Sequence, residues 1–225
     1  YIRAHENNLA NVALLSNHFG TYFYGTQFLA NAESGFISYF DPIANKSTSD
    51  LVTALSQFDG KRPCWVEPGS ISGYVLPFGL LEEAEIIVQP GVISQTYPAV
   101  VRSLYIKGVC DFGATFSVSG DPRTSSAVTN DLPDAVERVV VIWQTDPVIP
   151  NLNFSFSPSV DESIRSSIVS ALQDFVKTED GKRILTQTLG GYEIQDLKIV
   201  DDSIYDPVRT AVRFSLTDLS RWIGR

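Results

Sequence analysis

Short apolar segments separated by polar turns run along the whole chain, and their spacing predicts strands and helices in alternation. Segments that alternate between apolar and polar positions are typical of half-buried strands, and continuous apolar runs are typical of buried ones. The predicted strands comprise residues 21–30, 62–67, 85–89, 109–116, 137–143 and 154–156, together with the end of segment 1–15.

Apolar residues at helical spacing predict the intervening helices. The clearest helix covers residues 161–177, and its predicted apolar face comprises Ile164, Ile168, Leu172, Phe175 and Val176. The other predicted helices cover residues 50–58, 70–81, 96–107, 180–189 and 206–222, and both Trp143 and Trp222 are predicted core residues.

Strands that alternate with helices predict an α/β fold with mostly parallel sheets flanked by helices. Two extended segments around residues 22–27 and 147–153 contain Gly or Pro and are interpreted as crossings between two lobes. Lobe 1 would consist of residues 1–24 and 150–225, and lobe 2 of residues 25–149. Ligands in such folds bind beyond the carboxyl ends of strands, in the crevice between lobes.

The segment 60–81 carries the most specific local signal. A predicted strand ends at Pro68-Gly69, and Ser70-Ile71-Ser72-Gly73 then begins a predicted helix. Such a turn brings unpaired backbone N–H groups together at the positive end of a helix dipole, where an anion binds readily. The simpler alternative is that Ser70 only caps the helix.

Charge and composition narrow the classes of partner. The formal net charge of −9 argues against a nucleic acid or an acidic membrane surface, whereas a small anion requires only a local cluster of amides. The chain contains no Met and begins at Tyr1 within sequence typical of a folded region, so a fragment or processed form is expected. Either a disulfide or two buried free thiols would suit Cys64 and Cys110, and free thiols are expected.

Five stretches together resemble one known family. They are Tyr24–Phe28 with Glu33-Ser34-Gly35, segment 60–77 around Ser70–Tyr74, Asp111–Thr115, Val141-Ile142-Trp143 with Ile149-Pro150, and Asp201-Asp202-Ser203 with segment 205–209. In this order they resemble the substrate-binding proteins of phosphonate, phosphite and phosphate ABC transporters. The resemblance implies a type II periplasmic-binding fold with two hinge crossings. It also implies an incomplete first lobe, because the family has a further strand–helix–strand section before the point where this chain begins.

The resemblance also implies a set of ligand-binding residues. The Ser70 and Ser72 hydroxyls would hold the oxygens of a small phosphorus oxyanion, together with the amides from Ser70 to Gly73. Ile71 stands where the family has Thr, and Tyr97 where it commonly has His. Tyr24 and Asn151 are also expected to contact the ligand. Thr115 is a further candidate, and both Thr115 and Ser117 either line the cleft or simply end a strand.

The expected function is capture of phosphonate, phosphite or phosphate between the lobes and delivery to an ABC permease. A monomer is expected, either periplasmic or held outside the cell as a membrane-anchored lipoprotein, with no cofactor, metal or catalytic residue. An aminoalkyl phosphonate is disfavoured, because Val118 and Asn151 or Leu152 stand near the family's acidic positions. Asp111 is expected to have a structural role, since an ionised carboxylate would repel the ligand. The alternatives are a phosphoryl-handling enzyme and a ligand-sensing domain of the same fold.

Overall fold

A computed structural model describes residues 1–215 of the chain and the side chains of residues 1–213. The described chain divides into two compact units by its internal contacts. Unit 1 contains Tyr1–Tyr24 and Val148–Arg209, and unit 2 contains Gly25–Pro147 and the segment that begins at Thr210. The predicted lobes differ from this division mainly in the last helix, which begins in unit 1 and continues into unit 2. Trp222 and the predicted end of that helix lie outside the described residues.

Unit 1 is built on a three-stranded antiparallel sheet in which β1 (Asn11–Asn17) lies between β10 (Asn153–Phe156) and β11 (Asp196–Ile199). Its elements in chain order are α1 (Ile2–Glu6), β1 (Asn11–Asn17), the start of β2 (Phe23–Asn31), β9 (Ile149–Pro150), β10 (Asn153–Phe156), α7 (Glu162–Val176), α8 (Glu179–Thr188), β11 (Asp196–Ile199) and the start of α9 (Asp206–Ser215). The core of the unit joins β1 to the two long helices through Leu14, Val176, Leu185, Ile194 and Leu197.

Helix α7 has the predicted extent, with Asp161 as its N-cap, but only part of its predicted apolar face is buried. Val176 is buried and Leu172 packs against the same core, as predicted, whereas Ile164, Ile168 and Phe175 are exposed. Val169, which was not predicted, completes the packed face of the helix. Helical spacing identified the helix, but several apolar lines were available and packing selected one of them.

Unit 2 is built on a mixed sheet of five strands in the order β6 (Val92–Ile93), β5 (Pro63–Trp65), β7 (Phe112–Ser117), β2 and β8 (Val139–Gln144). Its elements are β2, β3 (Phe40–Asp41), β4 (Lys46–Ser47), α2 (Leu51–Leu55), β5 (Pro63–Trp65), α3 (Leu76–Glu83), β6 (Val92–Ile93), α4 (Tyr97–Ile106), β7 (Phe112–Ser117), α5 (Ser126–Thr129), α6 (Ala135–Arg138) and β8 (Val139–Gln144). Layers of helices flank this sheet, as the α/β prediction requires. The prediction of mostly parallel pairing was wrong in detail.

Within residues 1–215, only the pairs β5–β6 and β5–β7 are parallel, whereas β2 pairs antiparallel with both β7 and β8. Parallel neighbours need a long crossover connection, usually a helix. In unit 2 such crossovers are supplied by α3, between β5 and β6, and by α4, between β6 and β7. Parallel pairing is consequently confined to the region around β5.

The prediction of a strand over residues 85–89 was wrong. Glu85 has a positive φ of 56°, and Ile87 is 76% exposed. The segment is held by isolated backbone hydrogen bonds, from Gly60 N–H to the Ile87 carbonyl and from Gln89 N–H to the Lys61 carbonyl. The actual parallel strand is β6, which begins after Pro90-Gly91. The apolar run EIIVQ therefore lies in the connection that follows α3 and is not part of the sheet.

Apolar side chains cover both faces of the sheet in unit 2. One cluster, around Phe28, Phe58 and Phe112, lies on the side of α2 and α3. The other cluster, around Leu29 and Val100, lies on the side of α4. Trp143 is buried in the first cluster, as predicted. No helix within residues 1–215 is long and apolar enough to cross a membrane.

Cys64 and Cys110 form a disulfide, which corrects the expectation of two free thiols. Cys64 lies on β5, and Cys110 precedes β7. Because β5 and β7 are adjacent parallel strands, the two Cα atoms are 5.6 Å apart, within the usual range for a disulfide. The bond closes a chain separation of 46 residues that includes the Ser70 turn and both crossover helices. Adjacency of the two strands is a tertiary fact that the cysteine spacing alone does not contain.

Candidate anion-binding site

The carboxyl ends of β5, β6 and β7 lie at one edge of the sheet in unit 2, because these three strands are mutually parallel. The chain leaves β5 toward α3 and leaves β6 toward α4, so two helices begin near this edge. Helix N-termini carry a partial positive charge and unpaired N–H groups. This edge is the place where an α/β fold of this kind is expected to bind a ligand.

The turn after β5 forms the first part of the site. Ser70 is an N-cap, and its Oγ accepts a hydrogen bond of 3.1 Å from the Gly73 N–H. Ile71–Val75 forms one wide π-helical turn before α3, with the Val75 N–H donating to the Ser70 carbonyl at 2.9 Å. Among the described residues, the N–H groups of Ile71 and Ser72 have no protein acceptor. The capping and anion-binding interpretations of Ser70 are therefore compatible.

Tyr97 joins this turn from the start of α4. Thr96 caps that helix by accepting a hydrogen bond from the Ala99 N–H. The Tyr97 hydroxyl lies 3.0 Å from the Ser70 Oγ and 2.9 Å from the Ser72 Oγ. We refer to these three hydroxyls, of Ser70, Ser72 and Tyr97, as the hydroxyl triad. Two contacts within the triad use two of its three protons, so one O–H proton is left for another acceptor.

The turn is anchored firmly to the rest of unit 2. Ser72 is fully buried, and its carbonyl accepts a hydrogen bond of 2.6 Å from the Thr26 hydroxyl on β2. A Cβ at Gly73 would lie 2.4 Å from the Val66 side chain, so only glycine fits there. These contacts hold the backbone amides in place before any ligand arrives, which lowers the entropic cost of binding.

The hydroxyl triad is uncharged. No charged side chain among the described residues is recorded as a hydrogen-bond partner of Ser70, Ser72 or Tyr97. Likewise, no group of three or more His, Cys, Asp or Glu within residues 1–215 is arranged to hold a metal ion. The dipoles of the two helices that begin at this edge favour negative charge there.

The structure uses the side chain of Thr115 within unit 2. Thr115 is fully buried on β7, and its Oγ1 accepts a hydrogen bond of 3.1 Å from the Gln27 amide. The same oxygen lies 3.2 Å from the Phe116 carbonyl, to which it donates. Asp111 has the structural role expected of it, since its carboxylate accepts a 2.8 Å hydrogen bond from the Arg62 N–H.

Two other predicted ligand contacts, Tyr24 and Asn151, belong to unit 1. Tyr24 is half-buried on β2 and pairs with Ile149 on β9. Asn151 donates from its amide nitrogen to the Thr21 carbonyl at 2.9 Å, and its Oδ1 accepts from the Tyr192 hydroxyl at 2.9 Å. Their predicted contacts with a ligand stay predictions.

One feature of the sheet edge was not predicted at all. Strands β6 and β7 are each followed by a γ-turn, in which Thr96 N–H donates to the Ser94 carbonyl and Ser119 N–H to the Ser117 carbonyl, both at 2.9 Å. The central residues, Gln95 and Val118, have positive φ values of 69° and 72°. Gln and Val rarely adopt such a φ, so no residue type in the sequence signals these turns.

The fold indicates the class of protein. A mixed sheet with flanking helices, in a chain that divides into two units, is typical of type II periplasmic binding proteins. The family model described as ABC transporter, phosphonate, periplasmic substrate-binding protein matches residues 1–205. The chain belongs to this family, which consists of substrate-binding proteins and not of enzymes. No curated protein sequence matches the chain significantly.

Solved structures share the fold at low sequence identity. XAC2383 from Xanthomonas citri, bound to ATP, aligns with a TM-score of 0.71 and 14% identity over 95% of this chain and 74% of its own. A binding protein component of an ABC phosphonate transporter from Pseudomonas aeruginosa aligns with a TM-score of 0.59 and 14% identity. The alignment covers 95% of this chain and 65% of the Pseudomonas protein. PhnD1 from Prochlorococcus marinus, in complex with methylphosphonate, aligns with a TM-score of 0.56 and 13% identity. The alignment covers 90% of this chain and 70% of PhnD1.

Proposed function

We propose that the protein binds a small phosphorus oxyanion, either phosphonate, phosphite or phosphate, at the Ser70 turn and delivers it to an ABC permease. The observation that carries this proposal is the hydroxyl triad beside two unpaired backbone amides. The expected form is a monomer outside the cytoplasmic membrane, periplasmic or anchored as a lipoprotein.

A tetrahedral oxyanion suits the donors at this turn. Several oxygens can each accept a hydrogen bond, from the Ile71 and Ser72 amides and from the hydroxyl triad. Each hydrogen bond to a charged group contributes roughly 1.5–3 kcal/mol net. Because two helices begin at this edge, their dipoles favour the negative charge without a side-chain cation.

The substituent of the ligand is the less constrained part of the proposal. A protonated amine needs a carboxylate close to it. In this chain the uncharged Val118 stands near one of the positions where the family has an acidic residue. We therefore propose that phosphate, phosphite and small alkyl phosphonates bind better than 2-aminoethylphosphonate. The complex of PhnD1 with methylphosphonate supports an alkyl phosphonate as one candidate.

A melting panel with phosphate, phosphite, methylphosphonate, 2-aminoethylphosphonate and sulfate tests the proposal. An anion at one hundred times its dissociation constant adds about 2.7 kcal/mol to the free energy of unfolding, which gives a clear rise in melting temperature. We expect this rise with at least one of the phosphorus oxyanions and a smaller one with 2-aminoethylphosphonate.

The double variant Ser70→Ala/Ser72→Ala identifies the site. It removes two hydroxyls and is expected to weaken binding at least about 100-fold. Ser157 and Ser159 provide a matched control, since they are also two residues apart and hydrogen-bonded to each other, but lie on the surface of unit 1. Ser157→Ala/Ser159→Ala should bind like the wild type. Equal ligand-induced shifts in both double variants would place the binding site elsewhere.

A further inference from the structure

We propose that Thr26 is a positioning residue for the anion-binding turn, because its buried hydroxyl fixes the peptide unit that orients the Ser70 hydroxyl. This inference rests on the proposed function of the Ser70 turn and adds to it a residue on β2. Thr26 and the turn both belong to unit 2.

The Ser72 carbonyl has no donor within the turn itself. Hydrogen bonds in a π-helical turn join an N–H to the carbonyl five residues earlier, as from the Leu76 N–H to the Ile71 carbonyl. The next carbonyl in this pattern, that of Ser72, would need the N–H of residue 77. Residue 77 is Pro77, which has no N–H. The turn therefore leaves a buried carbonyl that needs a donor from outside the helix.

The Thr26 hydroxyl is that donor. Thr26 and Ser72 are both fully buried, and the Thr26 Oγ1 lies 2.6 Å from the Ser72 carbonyl oxygen. The same Oγ1 lies 3.2 Å from the Thr115 carbonyl oxygen. A threonine hydroxyl has one proton to donate, and the shorter contact indicates that the Ser72 carbonyl receives it.

The backbone of β2 holds the Thr26 hydroxyl in place. Thr26 pairs with Phe116 on β7. On the side of β8, the Thr26 N–H donates to the Thr145 Oγ1 at 3.1 Å, and the Thr26 carbonyl accepts from the Thr145 N–H at 2.9 Å. Because β2 lies between β7 and β8, Thr26 is a fixed point to which the turn is attached.

One peptide unit carries this attachment to the hydroxyl triad. The Ser72 carbonyl and the Gly73 N–H belong to the same planar peptide group. The Gly73 N–H donates to the Ser70 Oγ at 3.1 Å, and that Oγ lies 3.0 Å from the Tyr97 hydroxyl. A buried carbonyl without a donor is unfavourable. Without the Thr26 hydroxyl the peptide group would rotate toward another donor, and the Gly73 N–H would turn away from Ser70.

The test compares Thr26→Ser with Thr26→Ala, because these variants both lack the threonine methyl group and differ only in the hydroxyl. Each is titrated calorimetrically with phosphate, phosphite, methylphosphonate and sulfate, at a temperature where the unliganded variant is folded. We expect Thr26→Ser to bind like the wild type. Thr26→Ala should bind about 10-fold more weakly, since a turn that is not held in place must be ordered on binding. If Thr26→Ala does not fold, Thr26→Val, which keeps the side-chain volume, replaces it.

Two further measurements separate positioning from stability. Thr129→Ala is the matched control, since it removes a hydroxyl that donates to the Ser125 carbonyl at 3.2 Å, at the end of α5 in the same unit. It should bind like the wild type. The amide resonance of Gly73 in the unliganded protein is the second readout. It should shift in Thr26→Ala and stay in place in Thr26→Ser.

Equal affinities of Thr26→Ser and Thr26→Ala would overturn the inference, whether or not the melting temperature falls, because the hydroxyl would then only stabilise unit 2. An unmoved Gly73 resonance, or an equal loss of affinity in Thr129→Ala, would also overturn it. If Ser70→Ala/Ser72→Ala loses binding while Thr26→Ala retains it, only this inference fails. If the wild type binds none of the four anions, the proposed function fails, and the Gly73 resonance still tests the link from Thr26 to the turn.

Discussion

Two regions of the molecule carry predicted ligand-binding residues, and they differ in how many hydrogen-bonding groups they leave unused. In unit 1, Asn151 donates its backbone N–H to the Tyr22 carbonyl and its amide to the Thr21 carbonyl, and accepts from the Tyr192 hydroxyl. At the Ser70 turn in unit 2, two backbone amides and one hydroxyl proton of the triad remain available.

The difference follows from backbone geometry. A helix start necessarily leaves N–H groups without intrahelical acceptors, whatever side chains surround it. In the extended segment at Asn151, by contrast, the backbone N–H and the side-chain amide both pair with nearby carbonyls. A polar residue type alone is therefore weak support for a binding role, and unused donors held in place are stronger support.

Deleting one unused donor gives the sharpest test of this comparison. Ile71→Pro removes the N–H of the first residue in the turn, a position where proline is well tolerated. Ser70 already has the extended conformation that a residue before proline requires, with φ −73° and ψ 117°. We expect anion affinity to fall by about 1.5–3 kcal/mol, which is roughly 10- to 100-fold.

The matched control is Ile71→Ala, which keeps the N–H and removes most of a partly exposed side chain. Its affinity should stay close to that of the wild type. If titration gave the same dissociation constant for the proline and alanine variants, the Ile71 amide would not be a ligand contact.

Asn151→Ala tests the other side of the comparison. The substitution removes the hydrogen bond to the Thr21 carbonyl, which keeps its bond from the His18 N–H, and the hydrogen bond from the Tyr192 hydroxyl. The free energy of unfolding should therefore fall by about 1–3 kcal/mol. Denaturant titration measures this loss. Asn7→Ala removes an exposed amide in the same unit and should change stability by less than about 0.5 kcal/mol.

The predicted ligand contact of Asn151 would appear separately, as a loss of affinity well below the melting temperature. An unchanged free energy of unfolding would contradict the structural role of its side chain.

The smallest expected effect concerns Tyr22, whose hydroxyl donates to the Asp196 carboxylate in unit 1. Burial, followed by this hydrogen bond, raises the pKa of Tyr22 to about 12 from an ordinary value of 10.0. Between these values the folded protein retains a proton that the unfolded chain has lost. The free energy of unfolding should therefore decrease as the pH rises through this range.

Tyr22→Phe cannot ionise and should make this decrease shallower, while the ring keeps its contact with Lys198, whose Nζ lies 4.2 Å from the ring centroid. Denaturant titrations across the same pH range measure the slope. Parallel curves for the variant and the wild type would show that the Tyr22 proton is not linked to folding.

Local signals in the sequence were sufficient to predict where several helices begin. Asp161, Thr96 and Asp50 are the N-caps of three helices that were predicted to start at these positions. Such helix starts can be predicted without tertiary information, because a short polar side chain followed by apolar residues at helical spacing marks them. The run at residues 85–89 failed for the opposite reason. A short apolar run fits a strand and also a connection with a buried side chain such as that of Ile86, so neighbouring segments decide between them.

The sequence by itself determined the family, the α/β class and the turn after β5, since these depend on residue types at short, fixed spacing. The tertiary structure decided which distant residues meet there. Tyr97 reaches Ser70 and Ser72, and Cys64 reaches Cys110, only because parallel strands place their equivalent ends side by side. The unpaired hydroxyl of Ser117 is likewise a property of its surroundings, because hydrogen bonding depends on which partners the fold brings within reach.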